Sequence, residues 1–381
     1  MNFLRYIIAD LVETLLRVLP TPGKTGLVRI GNPGRNAPVF LTGNYHLTVE
    51  KVKRALRGLD AYLLIANSRG VNVWCAATGG HLTHHDVISV LKTSGIEAHV
   101  DHRRVILPQL AAPGVEGKIV RKKTDWKVIW GPAYAEDIPA FLGNELKKTQ
   151  AMRKVKFPWK QRVEMSVAWA FPISVVSALI TLPFWPDITL PLVGLIWGLA
   201  FLIFMSFPLY RRLLNSGGKR IGFIFFDFGR GGFQLVLWGA FMLGLVTYAF
   251  IAGDLSWGFT FRWAFMSFVV ILTLSLDLMG STPLYKSGLH EDKLLEVALD
   301  ENKCKGAGFC EQVCPKNCFD VDKTLHLATM PRAHECVQCG ACIVQCSFDA
   351  LYFKSPRNEI IPPETTRKFK LNIMGKRLIK V

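Results

Sequence analysis

Cysteine is nearly missing from most of the chain. Of nine cysteines, only Cys75 lies in the first 303 residues; the other eight fall between 304 and 346. Thiols this few and this clustered, in 381 residues, do not make a secreted disulfide scaffold. Acidic residues are also scarce: 29 Asp and Glu stand against 46 Lys and Arg, leaving a formal charge of +17. No helix-turn-helix, RNP or zinc-finger pattern accompanies that charge, so no nucleic-acid partner is expected. No G-x-G-x-x-G follows a strand, which argues against a dinucleotide site. The glycines of GGKRIGF, near 217, fall in a loop between apolar runs and make a weak phosphate cradle.

Apolar sequence, by contrast, is abundant. Half the residues are hydrophobic, and the mean hydropathy of +0.26 is high for a water-soluble chain. Four long runs, 166–185, 188–210, 233–253 and 257–279, make a transmembrane region over 166–280. Each is long enough, because about 20 helical residues cross a hydrocarbon core. Membrane helices tolerate Pro172, Pro183 and Pro191, and Arg262 in the fourth run is expected to snorkel to the interface. Positive charge gathers in a neck at 151–165 (Arg153, Lys154, Lys156, Lys160, Arg162), in the 211–230 loop and after 280. Loops around 186–187 and 253–256 carry no Lys or Arg. The positive-inside rule then puts both termini and both soluble parts on the cytoplasmic side of an inner membrane. GFIFFDF (222–228) is too short to span and is expected in the interface. Residues 4–19 place Leu4, Ile7, Ile8, Leu11, Leu15 and Leu19 on one face, predicting an amphipathic membrane-contacting helix over 1–20 that Pro20 ends.

Between 21 and 150 short β-like runs alternate with helical ones. PVFLT (38–42), AYLLIAN (61–67), VNVWCA (71–76) and KVIWG (127–131) read as strands, and 49–59 and 84–95 as helices. Thr83 can cap the second helix, with Asp86 three residues on and Gly95 closing it. Such alternation predicts an α/β domain with a mostly parallel sheet. Ligands of such sheets sit at the C-terminal ends of strands, where this reading puts Cys75.

Cys336-x2-Cys339-x2-Cys342-x3-Cys346 has bacterial ferredoxin spacing, with Ser347 in the usual proline position. A zinc site wants two separated pairs instead. The earlier run supplies Cys304, Cys310 and Cys314-Pro315, but Ala307 stands in the second-cysteine position and Cys318 is surplus. By the crossed-ligand rule one 4Fe-4S cluster takes Cys336, Cys339, Cys342 and Cys314, and the other takes Cys304, Cys310 and Cys346. Its fourth iron is held by Cys318 after a loop shift, or lacks a thiolate, giving a 4Fe-4S or a 3Fe-4S cluster. The expected ferredoxin domain, small and α+β, covers 296–354 and leaves 355–381 as a basic tail.

NVWCAATGG (72–80) resembles the cap-helix signature of the mercury-methylation (HgcA-type) corrinoid proteins, in the CO dehydrogenase/acetyl-CoA synthase corrinoid-protein superfamily. Gly31-Asn32-Pro33, LTGNYHLT (41–48), HRRVILPQLAAPGV (102–115) and WGPAYAEDIPAFL (130–142) extend the resemblance in order. The cysteine-rich end is similar to the HgcB-type ferredoxin partner, here on the same chain. This implies a Rossmann-like corrinoid-binding domain, an all-α transmembrane bundle and a ferredoxin. It also implies a cobalamin whose cobalt the Cys75 thiolate ligates, a choice suited to a soft metal. Asn72, Val73, Trp74, Ala76, Ala77, Thr78 and Gly79 would complete the cofactor loop, with the first five lining the approach to the corrin. The implied activity is methyl transfer from a donor resembling methylated folate or pterin. The ferredoxin, fed by an upstream low-potential donor, would return cobalt to its methyl-accepting state. Two departures bear on the acceptor. Thr78-Gly79 replaces the family's glycine–lysine pair, and residues 354–381 lack the partner's cysteine pair, which opposes mercury(II) as acceptor. A mercury methyltransferase and a membrane electron-transfer subunit without corrinoid stand as alternatives. Arg103, Arg104, Arg121, Lys122 and Lys123 could face the corrin or solvent. His81, His84 and His85, at a helix start, read as solvated rather than metal-binding.

Overall fold

The computed structural model describes residues 12, 14, 15, 19–214, 233–253, 255–278, 295–355, 357–372 and 375–378. Most of the expected N-terminal amphipathic helix, most of the 211–230 loop with its 222–228 segment, and the basic stretch after 280 lie outside the described residues. The chain divides into two compact units. One holds 157–281, and the other joins 19–156 to 294–381.

The α/β part of the second unit runs β1 (Gly26–Ile30), β2 (Val39–Gly43), α1 (His46–Ala55), β3 (Ala61–Ala66), α2 (Val73–Thr78), α3 (His84–Thr93), β4 (Arg104–Leu107), α4 (Gly117–Thr124), β5 (Lys127–Trp130), α5 (Ile138–Gly143) and α6 (Gln150–Arg153). Strand order is β1-β3-β2-β4-β5. The last four strands are parallel, and only edge strand β1 runs antiparallel to its neighbour. Both sheet faces are covered, which is why the strands read as unbroken apolar runs. Val39, Leu41, Tyr62 and Leu64 face α3 and α4, with Val87, Leu91, Val120 and Trp126. Phe40, Leu63, Ile65 and Ile106 face the other layer, with Val49, Leu56 and Phe141. The expected cap of α3 is present: Thr83 Oγ1 accepts from His85 N, the Asp86 carboxylate accepts from Thr83 N at 2.8 Å, and Gly95 takes φ 70° beyond the helix.

The other unit contains α7 (Trp159–Phe184), α8 (Pro186–Met205), α9 (Phe207–Leu214), α10 (Phe233–Ala252) and α11 (Trp257–Leu278). Among the described residues three helices are long and apolar enough to cross a membrane: α7, α8 and the Trp257–Leu274 part of α11. The expected third run is α10, whose described apolar part, Val236–Ala252, is shorter. Leu179, Leu190, Leu243 and Phe250 are each 70 % exposed or more, so the unit presents a large apolar surface. Polar groups pair inside the unit: Thr181 and Thr189 hydroxyls meet at 2.7 Å, and Trp238 Nε1 donates to Ala264 O at 3.0 Å. Helix α7 begins at Trp159, so the second half of the expected neck is helical.

The C-terminal module contains β6 (Glu296–Leu299), α12 (Phe309–Val313), β7 (Asp320–Asp322), β8 (Leu327–Thr329), α13 (Ala341–Gln345), β9 (Leu351–Lys354), β10 (Ile360–Ile361), α14 (Pro363–Lys368), β11 (Phe369–Asn372) and β12 (Gly375–Leu378). Strands β10-β9-β6 form one antiparallel sheet, and β7-β8 and β11-β12 form hairpins. The basic tail expected over 355–381 carries regular structure in its described part. Strand β10 extends the sheet, Pro363 and Thr366 are buried, and Arg367 turns inward to the Asp349 carboxylate. A guanidinium can turn inward in this way when a carboxylate meets it.

Candidate functional site

Cys75 lies in a helix, α2, and not at the end of a strand as VNVWCA suggests. Asn72 decides the matter locally. Its side-chain carbonyl accepts from Cys75 N at 2.9 Å, capping the helix, and its Nδ2 donates to Cys75 Sγ at 3.3 Å. The β-branched and aromatic residues that imitate a strand are the ones the helix buries. Val73, Trp74, Ala76 and Ala77 face the interior at 8 % exposure or less. Asn72, Cys75 and Thr78, spaced by three, share the partly exposed face. Of the residues expected to line the approach to a corrin, Asn72 thus lies beside the thiol, while the four apolar ones pack beneath it. Gly79, the C-cap, is buried.

The position of α2 follows from its supports. The loop from β3 to α2 is tied to the end of β2 by buried Asn44, whose Oδ1 accepts from Ser68 N (2.8 Å), Ser68 Oγ (3.1 Å) and Gly70 N (3.0 Å). Opposite, α2 packs on the 3₁₀ turn Gln109–Ala111 that follows β4. A Cβ on Gly114 would lie 2.3 Å from Leu82 O and 2.7 Å from Ala77 O, so only glycine lets these loops meet. Cys75 therefore stands at the C-terminal edge of the parallel strands, where such sheets bind ligands. Arg104 opens β4, and Arg121, Lys122 and Lys123 close α4, so this exposed patch lies at the opposite, N-terminal edge. Arg103 covers the Trp126 ring at 5.7 Å. The patch faces solvent and not the Cys75 edge.

The other eight thiols surround two cavities. One is lined by Cys314, Cys318, Cys336, Cys339 and Cys342. The second is lined by Cys304, Cys310 and Cys346, with Ala307 on its wall. Burial pushes the Cys310 thiol up to about 12 and raises Cys339 and Cys342 as well. Cys314 is drawn down to about 7, chiefly by the side-chain hydrogen bond from Cys318, whose own thiol is raised. Cys310, Cys339 and Cys342, with their thiols raised, become thiolates readily only against positive charge such as metal ions. Among the described residues no three His, Cys, Asp or Glu side chains converge as for a single ion. A polynuclear cluster, whose thiolates each hold a different iron, does not ask for that convergence. His84 is buried beside Glu116, Nδ1 to Oε1 3.6 Å, and its ring lies tilted against that of His85, centroids 4.3 Å apart.

Sequence reading missed how firmly this module is fastened to the α/β domain. Gln345, between Cys342 and Cys346, donates to Ala112 O (2.7 Å) and Val115 O (2.6 Å) and accepts from Gly117 N (3.3 Å). Arg153 pairs with Glu311 at 2.7 Å and Lys154 with Glu335 at 3.3 Å, so two residues of the expected neck are docking residues. Lys148 Nζ donates to Gln109 Oε1 (2.8 Å) and Gln312 O (2.7 Å). Val313 and Ala341 belong to the same core as Val115 and Trp130, and Cys339 packs against it. The turn Gln109–Ala111 that supports α2 also touches α12, the helix carrying Cys310.

Residues 17–142 match the family described as CO dehydrogenase/acetyl-CoA synthase delta subunit. The match spans the α/β domain. The chain is 35% identical over 128 residues to an acetyl-CoA decarbonylase/synthase complex subunit gamma of Methanopyrus kandleri, covering 33% of this chain and 27% of the relative. It is 35% identical over 125 residues to the subunit of that name from Archaeoglobus fulgidus, covering 32% and 26%. A corrinoid/iron-sulfur protein large subunit of Moorella thermoacetica is 32% identical over 117 residues, covering 30% and 26%. The chain thus spans about a quarter of the length of these relatives. Its α/β domain is similar to corrinoid-protein superfamily members.

Proposed function

We propose that the protein is a membrane-anchored, corrinoid-dependent methyl-transfer protein with its own electron-transfer module. The observation that carries this reading is the shared support: one turn, Gln109–Ala111, underlies both the Cys75 helix and the Cys310 helix. The residues fit a corrinoid in kind. Cys75 offers a soft donor on a partly exposed helix face, and buried Val73, Trp74, Ala76 and Ala77 hold that helix still. Bound there, the corrinoid supplies a metal centre that accepts and releases a methyl group. Asn72 Nδ2, donating to Sγ, sets the direction of the sulfur. Cys314, Cys336, Cys339 and Cys342 on one side, and Cys304, Cys310 and Cys346 on the other, would hold iron–sulfur clusters, which supply single electrons. Because Gln345, Arg153 and Lys148 fix the module in place, electron delivery needs no diffusing partner after an upstream low-potential donor has docked. A folate- or pterin-like methyl donor, and a cytoplasmic face for both soluble parts, complete the reading.

The test is an anaerobic visible spectrum of the full chain in detergent with a cobalamin, beside Cys75→Ala. A cobalt band displaced from that of the free cofactor, and restored to it in the variant, is expected. Coincident spectra would make Cys75 structural and leave a membrane electron carrier.

A further inference from the structure

The cysteine module repeats itself. Cys304, Cys310 and Cys314 recur 32 positions later as Cys336, Cys342 and Cys346. The backbone repeats with them. Gly306 (φ 61°) matches Gln338 (φ 54°), and Gly308 (φ 77°) matches Gly340 (φ 73°). Each loop then enters a five-residue helix, α12 or α13. Ala307 therefore holds the place of Cys339, between two left-handed residues. A left-handed glutamine is uncommon, so the left-handed backbone at both equivalent positions, Gly306 and Gln338, marks a loop shape the site requires.

The surplus cysteine has a mate as well. Cys318 N donates to Cys314 Sγ at 3.3 Å, and Ala350 N donates to Cys346 Sγ at 3.4 Å. Both side chains are buried, at 0% and 1% exposure. Cys318 thus occupies an alanine position, on the wall of the cavity that already has four thiols in ferredoxin order. A loop shift towards the other cavity is opposed by the ties on 315–317. Pro315 O accepts from Val155 N at 2.8 Å, Asn317 Nδ2 donates to Gln150 O at 2.9 Å, and Arg332 Nε donates to Asn317 O at 2.5 Å. The corner at Ala307 is exposed, with Lys305 exposed beside it.

Resting on the reading of this module as an iron–sulfur carrier, we propose that the Cys304, Cys310 and Cys346 cavity holds a three-iron cluster with an exchangeable metal site at Ala307, and that Cys318 ligates neither cluster. Three thiolates hold three irons. After one-electron reduction by a low-potential donor, the cluster's own sulfides can take up a ferrous ion at the open corner, without further electron transfer. Solvent or a small thiol completes that ion's coordination, and the ion leaves by the reverse step. The buried cavity serves electron transfer, while the open one responds to ferrous iron.

The experiment is anaerobic reconstitution of the full chain in detergent with iron and sulfide, followed by iron analysis and electron paramagnetic resonance of the oxidised samples. Wild type is expected to give the signal of an oxidised three-iron cluster, which reduction and added ferrous ion abolish. Ala307→Cys should lose that signal and gain one iron per chain. Cys318→Ala, which copies Ala350, should match wild type in signal and iron. The proposal is overturned if wild type equals Ala307→Cys in iron content and lacks the signal, or if Cys318→Ala loses an iron. Failure of wild type and Ala307→Cys alike to incorporate any cluster would instead sink the iron–sulfur reading on which the proposal rests.

Discussion

Cys75 and the cysteines of the C-terminal module are held by different means. In α2 a side chain does the work: Asn72 closes the helix start and touches Sγ, so one residue governs both the helix and the thiol. In the module, α12 and α13 start at left-handed glycines with no side-chain cap, and backbone shape sets the thiols. The exposure differs too. Cys75 is partly open, whereas Cys310, Cys314, Cys318 and Cys342 are buried. On the proposed function the difference has a use: a large ligand at Cys75 needs an accessible face, and a small inorganic group among the module's thiols needs a closed wall and a fixed loop. The contrast also suggests where each site is fragile: the first at a single side chain, the second at its glycines and its docking contacts.

The largest expected effect comes from parting the two sites. Gln345→Leu leaves Ala112 O, Val115 O and Gly117 N without this partner, at roughly 1–3 kcal/mol for each of the two buried carbonyls. Amide exchange at 109–117 and 341–345 should accelerate together, and unchanged protection would show that the module is not fastened there. Arg153→Ala, which strands Glu311, should cost about 2 kcal/mol, read as a lower denaturation midpoint. Glu311→Ala should give a loss of the same order, and the double variant should lose less than their sum. Asn72→Ala should cost about 1 kcal/mol, the usual loss for a cap. Labelling of Cys75 by a thiol reagent should change while the module's cysteines react as before. The smallest effect is a pH slope. Burial, with Arg153 nearby, holds the Lys148 ammonium well below 10.5. Between its folded value and 10.5 the unfolded chain carries the extra proton, so stability rises with pH there and falls as pH drops through the folded value. Lys148→Met should flatten that part of the profile, and an unchanged slope would assign it to other groups.

Much of the fold was legible because burial on both faces writes continuous apolar runs, as at 39–43 and 61–66. Strand β4 was not, since Arg103 and Arg104 hide its four residues, only the last three of which are buried. The VNVWCA run misled because Val73 and Trp74 are chosen for packing under α2, and tertiary context outweighs strand propensity. Ferredoxin spacing located the eight clustered thiols. It could not partition Cys318, because that depends on which wall a surplus side chain joins after folding. The docking contacts were invisible for a simpler reason: Gln345 and Ala112 are 233 residues apart, and no local pattern announces such a meeting.

The route of the chain carries a topological consequence. It leaves one folded body at about 156, passes through the apolar helices, and returns at about 294 to complete that same body. A path that starts and finishes on one side of a barrier crosses it an even number of times. If the long apolar helices α7, α8 and α11 all span a bilayer, a further crossing must accompany them, and among the described residues α10 is the available segment. Parity thus bears on the membrane arrangement independently of any loop charge. Inserting a glycosylation or protease tag after α8 and after α11 would count it.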